Sequence, residues 1–587
     1  MDRNSTIGLI LIGIILFSYF TFYNKPSVSD QPKAKPKKEQ IQAQKDSTEL
    51  KAQNSFSDSS YNTLPSKDVI LENDKIKVVI SSQGAFIKAA ELKEHKDYRK
   101  NQLVLLDEPS FDSKLVVQTQ YGDVDLNTLN YASASESVFV KDQDSGSVVL
   151  ETSIKGQKVS QVFSLKKGSY LLHRQIDFKG LPLKTNVVGF DFTNYAKRTE
   201  ADPKISKTQT TVNFYGTEFG SLSETSTDKE QSEVTNAKWF AFKSKFFLIG
   251  VIPDVEFSKL QVNSVGDPND TSIIKTLNAN GAFAVQGGKT GFQYYLGPNH
   301  YQTCKKITEG FGNNVYLGWP VFNAINKFII IPIFNFLESI FSNYGIIILV
   351  LVLIVKLALF PLSYKSYLSM AKIKVLKPEL DEIKARVGDD MQAQQQEQMK
   401  LYQSVGVNPL AGCIPVLLQM PILLAMFNFF PNAIELRHKS FLWADDLSIY
   451  DTFVKLPFSI PFGYGDHVSL FTILMTVATL VNTWYTSQMQ ASMSGPMKYM
   501  QYVMPIIFLF VLNSMSAGLT YYYFISTVFT IVQQFIIKSR VDETKIREKL
   551  DSYKKGVKEG THKKSRWQQR LEDAIKAQEE AKKNKKK

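Results

Sequence analysis

Cysteine is nearly absent from these 587 residues: Cys304 and Cys413 are the whole supply. Two cysteines, far apart and in unlike contexts, build neither a disulfide framework nor a zinc site. Histidine is as thin. Its six copies (His95, His173, His300, His438, His467 and His562) stand singly, without HExxH or any paired spacing, so the common metalloenzyme patterns are excluded. There is no phosphate-binding GxxxxGK[ST] loop and no GxSxG nucleophile elbow. The long apolar runs hold no Asp, Glu or His from which a proton relay could be drawn, and no inverted repeat stands out. These absences argue against enzymes and pumps, and no cofactor or metal is expected.

What is abundant is apolar and cationic. The hydrophobic fraction is 44%, with 40 Phe and 26 Tyr, and these residues crowd into the first two dozen positions and the last half of the chain. That distribution describes a membrane protein with a soluble insert. The net charge of +13 suggests an anionic partner, either lipid headgroups or nucleic acid.

Residues 1–24 carry an apolar run that ends in Tyr19, Phe20, Phe22 and Tyr23 with no A-x-A-like site after it. We read an uncleaved signal anchor, with a cleaved signal as the alternative. Residues 25–66, rich in Lys, Gln, Ser, Asp and Pro, have little to bury and form a disordered linker. From 67 to 308 short β-branched and aromatic runs alternate with polar residues and are broken by turn signals such as Ser82-Gln-Gly84 and Asp144-Ser-Gly146. Many short strands at that spacing indicate a β-sandwich. Trp239 with Phe240, and Tyr294 with Tyr295, line either a sugar-binding groove or the core; no carboxylate pair stands out as an acid/base couple. Residues 319–341 are apolar but interrupted by Asn323, Asn326, Lys327 and Glu338, which fits an amphipathic helix in the outer interface.

Residues 345–537 hold five spans, at about 345–362, 410–430, 468–485, 500–517 and 519–537. Between the first two, a helical hairpin over 363–408 projects from the membrane. Its stripe Ile373, Leu376, Leu380, Ile383 and Val387 repeats at three and four residues. Pro378 kinks the first helix or opens it afresh, Gly388 ends it, and Asp389 or Asp390 caps the second. Lys365, Lys372, Lys374 and Lys377 mark its cytoplasmic side, giving six spans with the anchor and both termini inside. Residues 538–587 form a basic tail ending Lys582-Lys-Asn-Lys-Lys-Lys587, suited to anionic lipid or to ribosomal RNA.

Lys356 stands out within the first of these five spans. A charge near the bilayer centre costs about 2.5 to 3.5 kcal/mol on insertion scales. Either it snorkels to the interface, or the neighbouring spans give it a hydrated place. Gln419, Asn428, Asn482, Gln533 and Gln534 lie on those spans, and polar groups in spans face protein or water. Such a pocket has binding chemistry and no bond-making chemistry. A transporter with a sugar-binding outer domain is the competing reading, and a sugar-modifying enzyme a more distant one.

From about Phe328 to Ile537 the sequence resembles the YidC-type membrane protein insertases of Gram-negative bacteria. The resemblance rests on Ile354-Val-Lys-Leu-Ala-Leu-Phe-Pro-Leu362, Leu376-Lys-Pro378, Gly388-Asp-Asp390, Val407-Asn-Pro-Leu-Ala-Gly-Cys-Ile-Pro415, Gln419-Met-Pro421, Met504-Pro505 and Gln533-Gln534, in order and at matching spacing. It implies a multi-domain inner-membrane protein. The expected fold is an all-α five-helix transmembrane core with a cytoplasmic helical hairpin, a signal-anchor helix and an all-β periplasmic supersandwich. It also implies a membrane insertase and chaperone acting alone or with the Sec translocon. The expected partners are nascent membrane proteins, the ribosome and the lipid bilayer, with no small-molecule substrate. In that family a positive residue sits in a hydrophilic groove, usually as arginine. Here the matching residue is Lys356, which keeps the charge and loses the bidentate fork.

Overall fold

The computed structural model describes residues 61, 64–141, 143–267, 270, 272–388, 390–408, 414–461, 464–488 and 496–559. The expected anchor (1–24), nearly all of the linker, Asp389, the start of the 410–430 span and the tail beyond Glu559 lie outside them. The chain divides into two units, Met1–Val315 and Tyr316–Lys587.

Alternation of apolar and polar residues builds the first unit. In Ile76–Ser81 the side chains of Ile76, Val78 and Ile80 are buried while Lys77 and Val79 stay half exposed, the period of a strand with one covered face. The described strands between Asp68 and Pro298 form sheets of nine, six and five. The nine-stranded sheet centres on Phe247–Pro253, Lys289–Pro298 and Leu171–Asp177. The six-stranded sheet is built on the long antiparallel pair Leu183–Lys197 and Ile273–Ala284. Aromatic rings join these two sheets face to face: Phe283 stacks on Phe292 at 4.2 Å and Phe190 on Phe240 at 5.9 Å.

Trp239, Phe240, Tyr294 and Tyr295 are all at most 1% exposed. They are core residues and line no groove. The polar edges of two of them are satisfied internally, Trp239 Nε1 donating to the Glu309 carbonyl at 2.8 Å and the Tyr295 hydroxyl to the Pro298 carbonyl at 2.7 Å. Cys304 packs in the same cluster. Burial pushes its thiol up to about 12, which leaves it inert as a nucleophile.

The second unit is helical. Its helices are α1 (Pro320–Glu338), α2 (Tyr344–Val375), α3 (Lys377–Val387), α4 (Met391–Ser404), α5 (Ile414–Phe429), α6 (Leu470–Ser487), α7 (Pro496–Leu512), α8 (Ala517–Arg540) and α9 (Glu543–Lys558). α1 contains a π turn at Asn326–Ile330. There Asn326 is buried and donates to the carbonyls of Leu317 and Ala425, both at 2.9 Å. One of the four residues that made α1 look too polar for the membrane is thus turned into the protein. Among the described residues, α1 and α2 are long and apolar enough to cross a membrane by length and composition.

Two boundaries differ from the sequence reading. The helix carrying Lys356 does not stop near Leu362: α2 runs for 32 residues straight through Pro361. Proline removes one N–H and crowds the carbonyl four residues back, but the following residues lack a glycine or second breaker to end the helix there. The hairpin therefore begins at Leu376, and Pro378 opens α3 within its first turn. Gly388 ends α3 at φ +69° and ψ −142°, a conformation open to glycine. The Asp390 carboxylate then caps α4 by accepting from the Ala393 N–H at 3.0 Å.

The second difference is in the tail. Residues 538–587 are not a tail throughout, because α9 packs on the base of the hairpin. Ile546 and Leu550 enter a cluster with Ala371, Leu376, Leu380, Tyr402 and Val405. Arg547 pairs with Glu379 and donates to the Val375 carbonyl at 3.0 Å, and Lys374 pairs with Glu543 at 2.5 Å. Ile546, Leu550 and Tyr553 recur at four and three residues, a stripe that the surrounding charge obscures.

Candidate functional site

Lys356 lies 12 residues past Tyr344 at the start of α2, about 18 Å along the helix. Its side chain turns inward and the residue is 5% exposed. The ammonium donates to Thr530 Oγ1 at 2.7 Å, and that hydroxyl gives its own proton to the Ser526 carbonyl at 2.9 Å. Gln533 Nε2 donates to the Lys356 carbonyl at 3.3 Å. Lys356 is thus held twice to α8. Its partner is a hydroxyl, which orients a dipole toward the charge but does not neutralise it.

The neighbouring polar residues sort by depth. Gln419 lies 10 residues before Phe429, the end of α5, and Asn482 lies 12 residues past Leu470 on α6. Gln533 and Gln534 lie 16 and 17 residues past Ala517 on α8. All are about 15 to 26 Å from these helix ends. Gln533 is bonded to the Lys356 backbone, while Gln419 and Asn482 stand on the neighbouring helices α5 and α6. Asn428 lies close to a helix end. It lies one residue from the end of α5, donates to its own helix at Leu424 (2.7 Å), and abuts Gly318, where a Cβ would fall 2.8 Å from its amide nitrogen. Among the described residues no donor reaches Asn482 Oδ1 or Gln534 Oε1, both buried. An unmet buried acceptor costs about 1 to 3 kcal/mol.

The family model described as 60Kd inner membrane protein matches residues 336–545, and that described as YidC periplasmic domain matches residues 68–335. A membrane protein insertase YidC from Amoebophilus asiaticus is 42% identical, across 98% of this chain and 99% of its own length. One from Cytophaga hutchinsonii is 40% identical, across 99% and 98%. The chain belongs to the YidC family. Membership makes it an inner-membrane protein with a periplasmic β domain, and does not favour the sugar-transporter reading. A putative aldose 1-epimerase from Escherichia coli K12 aligns with 40% of this chain and 100% of its own at 11% identity and a TM-score of 0.27, too distant to speak for activity.

The YidC-type core also holds functional candidates that the sequence reading passed over. Thr530 is the first. A stripe on α8, Ser526, Thr530, Gln533 and Gln534 at i, i+4, i+7 and i+8, carried the signal for it. Thr530→Val is expected to lower the unfolding free energy of the detergent-solubilised protein by about 1 to 3 kcal/mol, by leaving a buried ammonium without its acceptor. A further Lys356→Met change should recover most of that loss. A single variant as stable as the parent in denaturant titration refutes the tie.

The second candidate group ties the start of α6 to the end of α7. Buried Asp451 accepts from the N–H groups of Leu470 (2.8 Å) and Phe471 (3.1 Å) and from Trp443 Nε1 (2.8 Å), placing a carboxylate at a helix N-terminus. Asn513 accepts from the Ser469 N–H at 3.0 Å and donates to the carbonyls of Tyr464 and His467, both at 2.8 Å. The partners lie 8 to 49 residues apart, so no local pattern announces them.

Proposed function

We propose that this chain inserts nascent proteins into the inner membrane, alone or beside the Sec translocon, through a hydrophilic groove in which Lys356 attracts the acidic part of a client's translocated tail. The observation that carries this reading is the buried ammonium on α2, bonded among the described residues to the Thr530 hydroxyl and not to a carboxylate, with Gln533 of α8 tied to its backbone. The two unmet acceptors suit water or the N–H groups of a client backbone. In this reading α1 lies along the outer interface and six spans cross the membrane, with both termini cytoplasmic.

The test is site-specific crosslinking to a ribosome-stalled client, with photoreactive residues at Gln419 and Gln533 and, as a lipid-facing control, at Val477, which is 52% exposed. Early contact at the two glutamine positions supports the groove. Contact from Val477 alone sinks it.

For the ribosome, the segment that matters in this reading is the one beyond α9. Removal of residues 560–587 is expected to weaken co-sedimentation with ribosomes by about tenfold at low salt and by less at high salt, because clustered cations act through counterion release. Unchanged co-sedimentation at low salt assigns those residues another partner.

A further inference from the structure

The loop between α5 and α6 contains a strand pair, Val454–Ile460 with Gly465–Val468. Its first strand alternates: Val454, Leu456, Phe458 and Ile460 are aliphatic or aromatic, while Lys455, Pro457 and Ser459 stand between them. Such a period-two pattern normally marks a strand with one covered face. Here the apolar face is open. Phe458 is 61% exposed, Val454 47% and the preceding Phe453 57%, with Leu456 and Ile460 half exposed.

The place of the pair in the chain says what covers that face. Val468 ends the second strand and Ser469 caps α6, with no residue between. The hairpin is held at this level from both sides, since His467 Nε2 meets the Asn513 carbonyl at 2.9 Å and Asn513 donates to the Tyr464 carbonyl at 2.8 Å. It therefore stands at the mouth of helices whose outward residues Val477, Val481, Ile506, Ile507 and Phe510 are exposed and face lipid in a membrane-spanning core. Apolar side chains with interleaved lysine suit the headgroup boundary, where the cation meets phosphate and the rings meet the first acyl carbons. A contiguous apolar patch rimmed by polar groups marks an interaction surface.

We propose that this hairpin is a membrane-surface anchor, with Phe453, Val454 and Phe458 seated in the outer-leaflet lipid beside α6. The proposal rests on α6 crossing the bilayer. It adds a lipid contact that holds the outer end of α6, and with it Asn482, at a fixed depth.

The experiment uses the full chain reconstituted in phosphatidylethanolamine and phosphatidylglycerol vesicles, carrying an environment-sensitive fluorophore on Phe458→Cys, Lys455→Cys or Val481→Cys. The parent, labelled in parallel, gives the background from Cys304 and Cys413. Nitroxide-headed lipid is expected to quench the Phe458→Cys probe at least about threefold more strongly than aqueous iodide, with the reverse order at Lys455→Cys. A Phe458→Cys probe open to iodide, while Val481→Cys is quenched by lipid, overturns the anchor and leaves the spans standing. If Val481→Cys also escapes lipid quenching, both readings fall. Protection of Phe458→Cys from both quenchers assigns a protein cover and likewise overturns the proposal.

Discussion

Lys356→Glu is expected to reduce insertion of clients with acidic translocated tails by on the order of tenfold or more, and of neutral-tailed clients by much less, since a tenfold effect needs only about 1.4 kcal/mol. Two unit charges 4 Å apart in surroundings of effective dielectric 20 interact by about 4 kcal/mol, so a transient, hydrated contact that realises a third of this suffices. The ammonium has that pull available because its partner is the Thr530 hydroxyl and not a carboxylate. Lys356→Arg should insert both clients nearly as the parent does, since the groove role proposed here uses charge and not a bidentate fork. Protease protection of paired clients in depleted membranes, at matched protein levels, measures the difference. Equal insertion of both clients by Lys356→Glu removes electrostatic guidance from the mechanism.

The double change Ile546→Asp and Leu550→Asp is expected to undock α9 and raise amide exchange across α9 and the facing hairpin by about a hundredfold or more. Each side chain is nearly fully buried in the cluster under the hairpin. Losing two such side chains forfeits about 3 to 6 kcal/mol before any cost of placing carboxylates there. Lys374→Ala should do little, because its pair with Glu543 is partly exposed and such pairs contribute about 0 to 1 kcal/mol. Exchange rates in residues 377–404 that match the parent show that the hairpin stands without α9.

Much of this architecture is legible in the residues themselves. Period-two runs such as Ile76, Val78 and Ile80 mark strands because each sheet hides one face. Gly388 and Asp390 mark the hairpin turn because only special backbone and capping chemistry serves there. The misreadings have physical causes too. Pro361 looks like a stop, yet a membrane helix absorbs one missing N–H. The stripe of α9 hides among lysines because two buried apolar side chains, Ile546 and Leu550, suffice when a prepared surface receives them. Residue type revealed which side chains in the spans were polar but not what they bond, and Asn428, near the end of α5, bonds its own helix. The Asp451 and Asn513 ties join distant segments and become visible only when the helices are in place.

The length of α2 has an electrical consequence. In the proposed orientation α2 starts at the outer boundary, and Lys356, about 18 Å along it, then stands near the middle of a hydrocarbon core of about 30 Å. An elementary charge crossing the whole membrane exchanges about 2.3 kcal/mol with a potential of 100 mV. An acidic client residue drawn to Lys356 from the cytoplasm has therefore already traversed roughly half the field, and gains about 1 kcal/mol from an interior-negative voltage before it leaves protein contact. In the proposed groove the lysine stands where the cell's own potential can take over the transfer.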